Sequence, residues 1–174
     1  GAPSVIQEYI DNALLERSNF VLESPFQFES LIKIIDKIKE DGYRMSLYQL
    51  FVKSEEQSAI RVKVRYNEGG AFINTDEVRT NFNANLNNVA NQYFRFDHSY
   101  FIDNSTKKEM KLSCEFKKAL LVQYNASDHF YLRELFQKSA LTGKISKYFL
   151  KIIQTNRDYP KSLRQRLPGR RWRF

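Results

Sequence analysis

The chain has 174 residues, 42% of them hydrophobic, and a formal net charge of +8. That length fits one domain and is enough to bury a core, and 14 Phe with 10 Tyr supply bulky filling. The composition excludes a disordered chain, and no run approaches the roughly 18 apolar residues of a membrane span.

Cys114 is the single cysteine, which excludes an intrachain disulfide and fits a reducing, cytoplasmic compartment. It sits in an apolar-alternating segment and reads as a small buried side chain. A nucleophilic role needs one of the two histidines, His98 or His129, beside it. One Cys and two separated His make a poor zinc set. The first residues, Gly1-Ala2-Pro3 without methionine, read as a processed start, so further protein is expected upstream.

The positive charge is local. Residues 144–174 hold ten Lys and Arg against the lone Asp158, leaving residues 1–143 close to neutral. The expected organisation is therefore a body over 1–143 and a basic extension over 144–174.

In chain order, Ser4 is placed to cap a helix through Arg17, with Ile6, Ile10 and Leu14 on one face. Asn19–Glu23 reads as a short buried strand, broken by Pro25. Leu31, Ile32, Ile34, Ile35 and Ile38 give a helical stripe, closed by Gly42 where a C′ glycine is wanted. Tyr43–Val52 is nearly continuous in strand formers, as a strand covered on both faces would be. Ser54 and Gln57 make a capping box for a helix to Asn67, ended by Gly69-Gly70.

A helix from Thr75 to Tyr93 has the seam Val78, Phe82, Leu86 and Val89. Strands follow at Tyr100–Ile102, Met110–Phe116 and Ala119–Tyr124. Ser127 can cap a helix over Phe130–Ser139, and Lys144–Gln154 can form another. Helices alternating with strands predict an α/β fold in three layers with a mostly parallel sheet. The first helix has no strand before it, so the sheet reads as incomplete at the N-terminus.

The run from Asn19 to Ser105 resembles the zeta-toxin-like kinases, a P-loop family that includes UDP-N-acetylglucosamine kinases. Asn19–Ser24 is similar to that family's strand ending in Glu-Thr-Thr, and Lys37–Leu47 to its helix, Gly-Tyr turn and next strand. Ser58–Gly70 is similar to its lid helix with two arginines and Gly-Gly. Asp97 and Asp103-Asn104-Ser105 are similar to the Asp and Asp-Asn-Ser that follow.

The resemblance implies a P-loop-kinase-like fold and a phosphotransferase that uses ATP and Mg²⁺ on a sugar nucleotide. An antitoxin-like protein is the partner it implies. Phosphoryl transfer needs cations around the phosphates, and Arg61 and Arg65 lie four apart on one helical face. Arg79, one helix later, is the third phosphate-binding candidate. Glu23 is the acceptor-binding candidate at a strand end, joined by Asp103 and Asn104. The plainer readings are a solvated helix face for the arginines, paired with Glu55 or Glu68, an exposed strand-end acid or N-cap neighbour for Glu23, and caps or turns for Asp97, Asp103 and Asn104.

Several departures separate the chain from the family pattern. No GxxxxGK[ST] occurs in the 174 residues, nor does the family's catalytic-base Asp. Gly69-Gly70-Ala71 stands where Gly-Gly-His is usual, Asn81-Phe82 where Arg precedes an aromatic, and Glu23-Ser24-Pro25 in place of Glu-Thr-Thr. The expectation is a fragment or degenerate member of a zeta-toxin-type kinase, inactive as the chain stands.

A second reading is a non-catalytic binding module. Lys161–Phe174 interleaves arginine with Leu, Trp172 and Phe174, a composition that can hold nucleic acid or an acidic partner. A basic terminus with no specific ligand is the bland alternative. Deleting Lys161–Phe174 separates them in a salt titration of single-stranded RNA binding. A nucleic-acid site would lose affinity and flatten its salt slope; the expected outcome is that both stay unchanged.

Overall fold

The computed structural model describes residues 2–27, 30–106, 108–125 and 130–141. Its elements are α1 (Ala2–Leu15), α2 (Ser30–Glu40), β1 (Ser46–Phe51), α3 (Glu55–Asn67), α4 (Thr75–Gln92), a 3₁₀ turn (Tyr93–Arg95), β2 (His98–Asp103), β3 (Lys111–Lys117), β4 (Leu120–Tyr124) and α5 (Phe130–Leu141). The expected helices over 4–17, 31–41, 54–67, 75–93 and 130–139 and the four later strands are present, each within a few residues of its reading. The proposed helix over 144–154 and the basic tail lie outside the described residues, as does the Ser127 cap.

The four strands lie in the order β1-β2-β3-β4. β1 and β2 are parallel, from Ser46 opposite His98 to Phe51 opposite Asp103. β2–β3 and β3–β4 are antiparallel. The fold is α/β as expected, and the crossover expected between β1 and β2 is realised through α3 and α4. The expectation of a mostly parallel sheet is met in one pairing of three, because the short links after Asp103 and Lys117 can join only antiparallel neighbours.

One expected strand is not in the sheet. Asn19–Glu23 has no ladder partner among the described residues, and none of its five residues is buried. Its anchors are side chains. Phe20 meets Tyr9 at 6.4 Å and Tyr43 at 5.9 Å between ring centroids, and the Tyr43 hydroxyl donates to the carbonyls of Ala13 and Ser18. Helix contacts hold this segment, so its apolar run does not require a place in a sheet.

Helix ends explain where the other readings stop. α1 ends two residues before Arg17, which takes a left-handed φ of 57° while Ser18 N–H closes on the Ala13 carbonyl. α2 ends the same way on a glycine: Gly42 has φ 82°, and the Tyr43 N–H donates to the Ile38 carbonyl. Lys37 of α2 bonds Asp11 of α1 at 2.6 Å and is the leading cause holding that carboxyl below its usual range.

The core forms where α4 and α5 meet the inner face of the sheet. Phe101, Cys114, Phe116, Tyr93, Leu86, Val89, Leu135 and Phe136 are all essentially inaccessible, and Ile10, Leu31, Ile35 and Ile38 extend the same cluster to α1 and α2. Phe116 stands at its centre, with ring centroids 4.8 Å from Tyr93, 5.8 Å from Phe101 and 6.0 Å from Phe136. Burial pushes the Tyr93 phenol up to about 12 and the Cys114 thiol well above its ordinary value. A neutral buried thiol is a packing group, as the alternation around Cys114 indicated.

Phe116→Ala would empty the middle of this aromatic cluster. Large-to-small changes of this kind cost about 3–5 kcal/mol, and urea unfolding of the variant should show a loss of that order with an unchanged m-value.

Candidate functional site

A parallel pair leaves the two strand ends side by side, and the loops after them define a site. Asp97 fixes the near end of this pair. Its N–H donates to the Met45 carbonyl at 2.8 Å, and its Oδ2 accepts from Met45 N–H at 2.9 Å. At the far end Asn104 N–H donates to the Phe51 carbonyl at 2.8 Å. Asp97 is thus a strand clamp, and it does not line the cleft described next.

A cleft of about 1200 Å³ opens along β1. One wall is the segment from Asn19 to Gln27, another is β1 itself, and α2, α3 and α4 contribute most of the rest. Ser58, Arg61, Val62 and Arg65 line it, which is one stripe of a helix at i, i+3, i+4 and i+7. Arg61 is half-buried and Arg65 exposed. Among the described residues no carboxylate pairs with either.

α3 forms for reasons its sequence states. The Ser54 hydroxyl accepts from Gln57 N–H at 3.2 Å, and Glu55 and Glu56 sit in the first turn, where the helix dipole favours acids. A hydrogen bond with Ser54 is the first cause holding the Glu56 carboxyl below its usual range. The helix ends on two glycines. Gly69, at φ 93°, donates to the Tyr66 carbonyl, and Gly70 donates to the Arg65 carbonyl at 2.9 Å.

Gly70 has a second reason to be glycine. A Cβ there would lie 2.8 Å from the Arg65 carbonyl oxygen and 2.9 Å from Arg65 Cγ. The glycine pair therefore both terminates α3 and leaves room for the second arginine.

The six expected site residues divide. Glu23, Arg61, Arg65 and Asn104 line the cleft; Arg79 and Asp103 do not. Arg79 Nε donates to Glu55 Oε1 at 2.6 Å, and that bond is the leading cause raising its guanidinium pKa. Asp103 Oδ1 accepts from Ser105 N–H at 2.8 Å, a side-chain turn of the kind the plainer reading anticipated. Glu23 is exposed at the rim.

The segment carrying Glu23 is held by α4. Asn85 Nδ2 donates to the Pro25 carbonyl at 2.7 Å, and Asn88 Nδ2 to the Phe26 carbonyl at 3.1 Å. Between those bonds Phe26 takes φ 54°, an uncommon conformation for a bulky residue, over-determined here by its anchors. Sequence reasoning missed Asn85 and Asn88, although asparagine in the middle of a helix signals a side chain with a task outside it. It also missed Arg44, an exposed third arginine in the lining, and took Asn81 only as a departure from the family pattern, although it lines the cleft.

The arrangement is a cationic cleft over an apolar floor that includes Leu31, Ile35, Phe51 and Phe82. Three arginines face one carboxylate, Glu23, so the cleft suits an anion with an apolar or ring-bearing part. The unpaired guanidinia fit the phosphates of a nucleotide. Mg²⁺ is usually held through one or two carboxylates plus phosphate oxygens, and Glu23 is the one carboxylate among the described lining residues. No cluster of three His, Cys, Asp or Glu side chains occurs among the described residues, and none of their helices is long and apolar enough to cross a membrane.

Gly70→Ala tests the packing against Arg65. Overfilling of this kind costs about 1–3 kcal/mol, so urea unfolding should show a lower midpoint, and the amide resonance of Arg65 should move more than those of α4.

A search of curated proteins and a search of solved structures each return no match. The family model for Zeta toxin matches residues 1–112, a span that holds α1 to α4, β1, β2 and every cleft residue named above. The chain belongs to the zeta toxin family.

Proposed function

We propose that the cleft is the anion- and acceptor-binding face of a zeta-toxin-type phosphotransferase. Arg61 and Arg65 hold phosphoryl oxygens, and Glu23 accepts from a hydroxyl of the acceptor. The observation that carries this reading is the shared stripe of Arg61 and Arg65 in a cleft that also contains Glu23, with no carboxylate on either arginine among the described residues. A free arginine offers a planar fork of donors to phosphate. Arg79, bonded to Glu55, is assigned a structural role instead.

ATP is the phosphoryl source this reading calls for, and a sugar nucleotide is the acceptor class that suits a rim of Glu23, Asn81 and Asn104 above an apolar floor. The 174 residues contain no GxxxxGK[ST], whose backbone N–H groups and lysine cradle the β- and γ-phosphates in P-loop enzymes. We therefore take the chain as it stands to bind anions without transferring phosphate. An antitoxin-like protein is the partner class that goes with the family. The alternative of a binding module acting through the basic residues 144–174 has its own test in the RNA titration above.

Calorimetry with inorganic tripolyphosphate and with ATP plus magnesium checks the proposal. Tripolyphosphate should bind with a millimolar constant, equivalent to about 4 kcal/mol, and Arg61→Ala and Arg65→Ala should each weaken it. ATP should bind no tighter than that. Unchanged affinity in both arginine variants, or micromolar ATP binding that survives them, would assign the phosphates to other groups.

A further inference from the structure

α3 carries both cleft arginines, yet none of its residues is buried. Ala59 and Val62 are half-buried, but no apolar side chain of this helix joins the core cluster, which is what usually fixes a helix on a domain. An exposed ion pair, Arg79 with Glu55, ties it to α4, and such pairs fix little.

A denser set of bonds lies at its first turn. Lys53 N–H is shared between Ser105 Oγ at 2.9 Å and Gln57 Oε1 at 3.2 Å. Gln57 Nε2 donates to the Ser105 carbonyl at 2.6 Å. Ser105 N–H is itself taken by Asp103 Oδ1, and Asn104 N–H by the Phe51 carbonyl. One glutamine side chain thus joins the end of β1, the end of β2 and the start of α3.

We infer that Gln57 and Ser105 are positioning residues that set where Arg61 and Arg65 stand over the cleft. The inference rests on the phosphate-binding reading of those arginines. Gln57 lies one turn before Arg61 and two before Arg65 on the same face. Arg65 is about 12 Å along the axis from it, so a tilt of about 10° at Gln57 moves the Arg65 backbone by about 2 Å. A shift of that size is large against the tolerance of a charged hydrogen bond to phosphate. Within the Asp103-Asn104-Ser105 turn, Asp103 and Ser105 act through the helix they clasp, while Asn104 stays in the cleft lining.

The test is a tripolyphosphate titration of the full chain, followed by NMR. Gln57→Ala and Ser105→Ala should each weaken binding about fivefold, the worth of one hydrogen bond, while Ser105→Thr, which keeps the accepting hydroxyl, restores it. In an Arg61→Ala/Arg65→Ala background, Gln57→Ala should produce no further loss, because the two changes act on one interaction. Affinity unchanged by Gln57→Ala, but lost with the arginines, would overturn this inference and leave the phosphate site standing. A Gln57→Ala loss that persists without the arginines would also overturn it. Binding indifferent to the arginines would remove both. Should Gln57→Ala not fold, the contrast between Ser105→Ala and Ser105→Thr decides alone.

Discussion

The parallel pairing of β1 with β2 constrains everything else in this molecule. Parallel neighbours need a crossover, so the chain between Phe51 and His98 must leave one end of the sheet and return to the other. α3 and α4 are that crossover. It starts at the C-terminal ends of the strands, which places the α3 arginines above β1 rather than beneath it. Asp97, bonding Met45 twice, holds the register on which this placement depends.

Two kinds of force then divide the structure. Around Phe116 the molecule is held by apolar burial, which is strong and undirected. Around the cleft directed polar bonds add to the packing of Phe20 and Phe26: Asn85 and Asn88 on the segment of Glu23, Gln57 and Ser105 on the helix of Arg61 and Arg65. Residues that must face solvent and a ligand cannot be located by burial, so their geometry is set by hydrogen bonds one step away. Four amide and hydroxyl side chains thus complete a placement that apolar packing begins.

This division also sorts what could be read in the sequence. The 3.6-residue periodicity around Leu31 and Ile35 and around Leu86 and Val89 identifies α2 and α4, because those residues are buried for their hydrophobicity. Ser54 and Gln57 announce the start of α3, and Gly42 and Gly69 mark helix ends through backbone needs that few other residues meet. Spacing puts Arg61 and Arg65 on one helical face, and the resemblance to the family supplies their phosphate-binding reading. Asn19–Glu23 was misread because a short apolar run fixes neither burial nor a partner: Val21 is exposed, and aromatic packing of Phe20 on α1 takes the place of a ladder. The bond of Arg79 to Glu55 was open among the plainer readings, but local pattern did not choose it over phosphate binding, since the two residues stand 24 positions apart. The clamp at Asp97 and the clasp at Ser105 pair residues about fifty positions apart, and local pattern does not carry that information.

A helix with no buried residue also has a particular history open to it. Most positions of a domain are constrained because a change in them lowers global stability. α3 escapes that constraint, since Ile60 and Tyr66 are exposed and nothing on the helix enters the core. Its outward positions are free to drift, and its cleft-facing stripe changes at little cost to the core. A change of ligand preference can then arise by substitution at Ser58, Arg61, Val62 or Arg65 without a compensating change in the core, which makes this helix the part of the protein where new specificity is most accessible to evolution.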